Sequence, residues 1–99
     1  MDMNEILAMP RAWAVLDLST QVSKERVYIH RIWYRVAAAE DEITLYDGVG
    51  TTGKKFHVRE PTGDTTKQLD IELLFHDGLY FDNTSGNANV MISYIPFPD

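Results

Sequence analysis

The chain has 99 residues, 44% of them hydrophobic and 11% aromatic, with no cysteine and a formal net charge of −6. That length makes one domain with a marginal core, which neither a disulfide nor a thiolate zinc site can supplement, so burying more surface by oligomerisation is a natural remedy. An acidic chain with scattered basic residues repels a phosphate backbone, and no run of about 18 apolar residues is present to cross a membrane.

Residues 1–10 stand apart from the rest. They carry Met3, Ile6, Leu7 and Met9 ahead of Pro10, as a short helix or an extended arm, and they lack the basic start of a signal peptide. The expectation is a soluble product made in the cytoplasm, bound to neither nucleic acid nor membrane. Residues 11–99 form a single domain in this reading.

From there the hydrophobic period is mostly two, the period of a strand with one buried face. "RAWAVLDLS" places Ala12, Ala14, Leu16 and Leu18 on one face and Trp13 and Val15 on the other. "VYIHRIWYRVAAA" admits a helix because of its alanines, but its β-branched and aromatic residues favour a strand, with Tyr28, Ile32, Tyr34 and Val36 sharing a face. "EITLYD" and "KKFHVRE" follow on either side of a glycine loop. "PTGDTT" is a turn, and "KQLDIELLF" alternates with Leu69, Ile71 and Leu73 inward and Asp70 and Glu72 outward. "HDG" reads as a hairpin turn into "LYFDN", and "TSGNAN" turns the chain again into "VMISYIP". About seven strands separated by turn signals predict an all-β fold, a small antiparallel β-sandwich, jelly-roll-like, with a short N-terminal arm.

Gly48, Gly53 and Lys54 match the G-x-x-x-x-G-K spacing of a phosphate-binding loop. The context rejects the match. Lys55 stands where a Ser or Thr hydroxyl would hold magnesium, and the alternating "KKFHVRE" follows where a helix N-terminus would have to aim its amides at a phosphate. The loop is instead a hairpin connection, in which Gly50 and Gly53 permit positive φ and the lysines keep the strand end soluble.

No catalytic constellation emerges. His30, His57 and His76 lie on or beside different strands without a metal-binding spacing. His76 and Asp77 are adjacent, so on a strand they would face opposite ways. Asp70 and Glu72 share a face, as glycosidase carboxylates do, but also as the solvated side of an ordinary strand does. Ser19 and Ser23 lack a G-x-S-x-G elbow. The expectation is no enzyme activity, no cofactor and no metal.

One face resists the ordinary pattern. Opposite Tyr28, Ile32, Tyr34 and Val36 lie Val27, Ile29, Arg31, Trp33 and Arg35, so large apolar and guanidinium groups interleave on the side meant for water. Trp and Arg are enriched at binding hot spots. A strand buried on both sides under the arm, or a bulge near His30 that flips the phase, accounts for the pattern equally well.

The ordered set "ITLYDGVGTTGKKFHV", "FHDGLYFDN" and "NANVMISYIP" resembles small virion structural proteins of tailed bacteriophages. Leu45 to Gly48, Gly53, Lys54, Gly78 to Phe81 and Val90 to Tyr94 carry the likeness, which covers roughly residues 27–95. The resemblance implies a small β-sandwich with an architectural role as head decoration or cement protein, or as a neck, collar or tail-fibre-base component. It implies localisation on the virion, with the major capsid protein or other virion proteins as partners. A homo-oligomer is expected, a trimer being favoured because capsid lattices offer three-fold sites. The candidate interface residues are Ile6, Leu7, Met9, Ile29, Arg31, Trp33 and Arg35. The rival from another class is a carbohydrate-binding sandwich, with Trp13, Trp33 or a loop tyrosine stacking on sugar rings.

Overall fold

The computed structural model describes residues 12–16, 18–84 and 88–96. Ile6, Leu7 and Met9, and the whole 1–10 arm, lie outside the described residues, as does the side chain of Trp13. Eight strands run in chain order: β1 (Ala12–Leu16), β2 (Thr20–Ser23), β3 (Val27–Val36), β4 (Asp41–Asp47), β5 (Lys54–Glu60), β6 (Thr65–Phe75), β7 (Leu79–Asp82) and β8 (Ala88–Pro96). They make two four-stranded sheets, in the order β1-β8-β3-β6 and β2-β7-β4-β5, with every pair antiparallel. All connections cross between the sheets except the β4–β5 hairpin. This is the jelly-roll order of a double-sheet sandwich.

The expected all-β sandwich is therefore present, with one strand more than the pattern indicated: β2, "TQVS", is short, polar and half-buried. The turn at His76 to Gly78 is also corrected. It is not a hairpin, because β6 and β7 belong to opposite sheets. Gly78 is required there, at φ +140°, since a Cβ would sit 2.8 Å from the Ser23 carbonyl and 2.9 Å from that of Gly48.

The inward faces of both sheets feed one core. It takes Val27, Ile29, Ile32, Tyr34 and Val36 from β3, Ile43 and Leu45 from β4, Leu79 and Phe81 from β7, and Val90 and Ile92 from β8. Val27 and Ile29 share this core with Ile32 and Tyr34 only because β3 changes phase. Its register slips between Ile29 and Arg31 against both neighbours: two steps on β3 oppose one on β8 and three on β6. Against β8 the extra residue is His30, and against β6 it lies on β6, at Ile71–Glu72; with these bulges the inward set of β3 moves from odd to even positions. Two expectations change with it. Ile29 is fully buried and cannot belong to an exposed interface, and Tyr28 does not share a face with Ile32 but packs with Ile95 and Leu74 in a separate small cluster.

On β6 the expected alternation is only partly sealed. Ile71 is buried and Leu69 half-buried, but Leu73 is 41% exposed, on a strand that ends its sheet. Leu18 lies beyond the end of β1 and is 74% exposed rather than sharing an inward face.

One end of the sandwich is closed by a charge cluster. Tyr34 Oη donates to Glu60 Oε2 at 2.8 Å, and Lys67 Nζ donates to Glu60 Oε1 at 2.9 Å. The Glu60 backbone carbonyl accepts from the Glu40 amide at 2.8 Å, and Asp41 Oδ2 accepts from the Ala38 amide at 2.8 Å. The Lys67 and Tyr34 hydrogen bonds hold the Glu60 carboxyl below its usual range, against the opposing effect of burial. Burial, helped by the Glu60 hydrogen bond and charge, pushes the Tyr34 hydroxyl up to about 12.

Two predictions follow from the core and from this cluster. Ile71→Ala should cost on the order of 2–5 kcal/mol and Leu73→Ala no more than about 1 kcal/mol, measured by urea unfolding, because only the first leaves a cavity. A raised Tyr34 pKa means its contribution to stability is intact below pH 10 and lost as pH rises towards about 12. The melting temperature of the wild type should therefore fall more steeply than that of Tyr34→Phe across that alkaline window. Parallel curves would show that Tyr34 ionisation is not coupled to unfolding.

Candidate functional site

The phase change on β3 decides what its outer face presents. Beyond the bulge, Arg31, Trp33 and Arg35 occupy successive outward positions, and each is tied to the β6 side of the sheet. Arg31 Nε donates to Asp70 Oδ1 at 2.8 Å, Trp33 Nε1 donates to Gln68 Oε1 at 2.7 Å, and Arg35 Nη2 donates to Asp64 Oδ1 at 2.6 Å. Arg31 and Asp70, and Trp33 and Gln68, are direct cross-strand partners, which is why the pairs form without any rearrangement of the chain. The Arg31 guanidinium also lies 5.6 Å from the centre of the Trp33 ring, in cation–π range. Exposed ion pairs of this kind add little stability, roughly 0–1 kcal/mol. Their effect is to hold three large side chains in one arrangement, so that less rotamer entropy is lost when something docks.

Beside Trp33 the surface dips into an open groove of about 520 Å3, lined by Trp33, Arg35, Thr66, Asn89, Met91 and Leu16 among others. Its floor is apolar and its rim carries hydroxyl, amide and guanidinium groups. Three of the expected interface residues, Arg31, Trp33 and Arg35, are thus brought together on one face, while Ile29 is removed to the core.

On the other side of the bulge, Tyr28 Oη donates to Glu72 Oε2, and His30 Nδ1 lies 3.1 Å from Glu72 Oε1. Glu72 has φ +53°, a backbone conformation that costs a non-glycine residue of order 1 kcal/mol and is held here by its two side-chain partners. His57 pairs with Glu42 at 3.3 Å in the opposite sheet, and His76 is exposed in the β6–β7 turn. The three histidines do not converge, and among the described residues no group of three potential ligands could hold a metal ion. Asp70 and Glu72 face outward, each with a cross-strand partner. Ser19 Oγ donates to Asp82 Oδ1 at 3.1 Å, and Ser23 Oγ accepts from the Glu25 amide at 3.1 Å.

The glycine loop connects β4 to β5 with Asp47 opposite Lys54, so a strand follows Lys54. Gly50 has φ +74°, as expected, but Gly53 serves a different need: a Cβ there would stand 1.8 Å from the Asp47 carbonyl oxygen, so only glycine lets the two chains pass. The residue that organises the loop is one the sequence reading passed over. Gln21 shares its amide hydrogens among the carbonyls of Ser23 and Gly48, both at 2.8 Å, and Leu79 at 3.1 Å, and its Oε1 accepts from the Gly50 amide at 2.8 Å. Asp47 in turn accepts from the amides of His76 and Asp77, at 3.1 and 2.8 Å. The Gly50 amide that a phosphate would need is thus already engaged by protein.

The chain matches no protein-family model, no curated protein and no solved structure.

The loop geometry makes an expectation for nucleotides. ATP or GTP with magnesium should leave the melting temperature unchanged, whereas a ligand at a hundred times its dissociation constant would add about 2.7 kcal/mol of stability. A clear thermal shift would mean that the loop reorganises around a phosphate.

Proposed function

We propose that this chain is a non-enzymatic virion structural protein of a tailed bacteriophage, a capsid decoration or cement protein that stabilises a shell by protein–protein contacts. A neck, collar or tail-fibre-base position is the variant of the same role. The observation that carries the reading is the outer face of β3, where Trp33 stands between Arg31 and Arg35 with all three side chains anchored from the β6 side. Trp and Arg dominate hot spots, and residues already held in place lose little entropy on docking. The jelly-roll order adds weight by analogy, since that architecture recurs in viral capsid domains, although a fold by itself assigns no function. In this reading the chain works as a homo-oligomer, a trimer at three-fold lattice sites, and docks on the major capsid protein or another virion protein.

The groove beside Trp33 favours a second reading. An aromatic ring next to amide, hydroxyl and guanidinium groups in an open depression suits a sugar, and jelly rolls also occur as lectin domains. The two readings part on simple measurements. For the architectural role, Trp33→Ala should weaken self-association or particle binding by about 2 kcal/mol, roughly thirtyfold, in size-exclusion and co-sedimentation assays. A wild-type chain that stays monomeric, never co-sediments with particles and is retained on a glycan array through Trp33 would replace the architectural reading with the sugar-binding one.

A further inference from the structure

We propose that the open side of the sandwich, between β5 and β6, binds an extended peptide segment of a partner protein in which apolar residues alternate with acidic ones, added as a strand beside β5. The proposal concerns a different surface from the Trp33 face and does not depend on the larger structure the chain serves.

The backbone provides the first element. Among the described residues β5 ends its sheet and pairs only with β4, so the amides and carbonyls on its other side face no described strand. An added strand is a common way to recognise a peptide, with main-chain bonds giving affinity and alternate side chains giving selectivity. The second element is the cleft that such a strand would cover. It measures about 200 Å3 and is lined by Phe56, Leu73 and Phe75, with Lys54, Lys55 and Asp47 at its mouth. Leu73 lies in register with fully buried Ile29, in the inward phase of its strand, yet is 41% exposed. The recess therefore presents apolar surface of the kind a core residue normally hides.

Charge chooses the partner. Arg31, Arg35, Arg59 and Lys67 each have a carboxylate at 2.6–2.9 Å. Lys54 and Lys55 have no ion-pair partner among the described residues, in a chain whose net charge is −6. The Asp47 carboxylate nearby is directed onto the His76 and Asp77 amides. Two ammonium groups without a described ion-pair partner, at the mouth of an apolar recess, suit an acidic, apolar segment. Strand geometry sets the alternation: beside β5, every second side chain points inward onto Phe56 and Leu73, and the others point outward past Lys55.

The test uses the full chain and a short fluorescein-labelled peptide alternating leucine with glutamate, beside its leucine–lysine counterpart, read by fluorescence anisotropy. The glutamate peptide should bind saturably and the lysine peptide at least about tenfold more weakly, with the preference reversed in Lys54→Glu/Lys55→Glu. Leu73→Ala should weaken binding while the thermal unfolding transition stays near that of the wild type. Backbone N-methylation of the glutamate peptide should abolish binding. Amide resonances of Lys54, Lys55, Phe56 and Leu73 should shift on titration. Equal affinity for both peptides, no saturable binding, or shifts confined to the Trp33 face would overturn the proposal.

Discussion

The single extra residue at His30 governs most of this structure. β3 is the one strand of its sheet that touches both β8 and β6 along its length, so its phase sets theirs. Without the bulge, Val27 and Ile29 would fall on the same side as Arg31, Trp33 and Arg35. Either the apolar pair would face water or the guanidinium groups would enter the core, and an unpaired buried charge costs several kcal/mol. The bulge lets one strand give apolar residues to the core from both parities. It also turns Tyr28 outward to meet Ile95 and Leu74, and it accompanies the left-handed backbone of Glu72 on the neighbouring strand.

Several features were legible from the residues alone. Period-two alternation marks β3, β4, β5 and β8, and the loop context indicates that a strand rather than a helix follows the glycine loop. The chain does not announce β2, because "TQVS" is short, polar and too even in burial to alternate. Nor does it say which sheet a strand joins, since a turn such as His76-Asp77-Gly78 serves a hairpin or a crossover with the same residues. Neither glycine nor proline marks the phase change; the run of large side chains at both parities around His30 admits a bulge there as one reading, and the structure takes it. Gln21 and the Tyr34–Glu60–Lys67 cluster are invisible for another reason: their partners lie far along the chain, 58 residues for Gln21 to Leu79 and 26 for Tyr34 to Glu60. Of the proposed interface residues, Arg31, Trp33 and Arg35 are found together because they share a strand face. Ile29 was placed with them by a parity that the bulge annuls.

The molecule spreads its polar chemistry unevenly. One end is sealed by the Glu60 cluster, and the other is stitched by Gln21 and Asp47 through backbone amides and carbonyls. Both devices use side chains to satisfy groups that crossover loops leave exposed, as a fold with so many inter-sheet connections must. Between the ends, the β3 face is stiffened by cross-strand pairs, while the β5–β6 side keeps two lysines, without an ion-pair partner among the described residues, over apolar surface. A rigid aromatic face and an open, cationic edge are different kinds of surface, and they lie on different sides of the sandwich.

The position of β8 carries a further consequence for how the chain reaches this state. β8 fills the slot between β1 and β3, and β1 has no other strand partner among the described residues. Ala12 meets Tyr94 across the sheet, so the earliest described strand waits for the latest one before it finds its strand partner among the described residues. Assembly of this sheet in chain order is therefore blocked at β1 until β8 is available. Until residues 88–96 are available, the apolar faces of β1 and β3 flank an empty lane, and such unpaired edges are where non-local β-folds are slow and vulnerable to association.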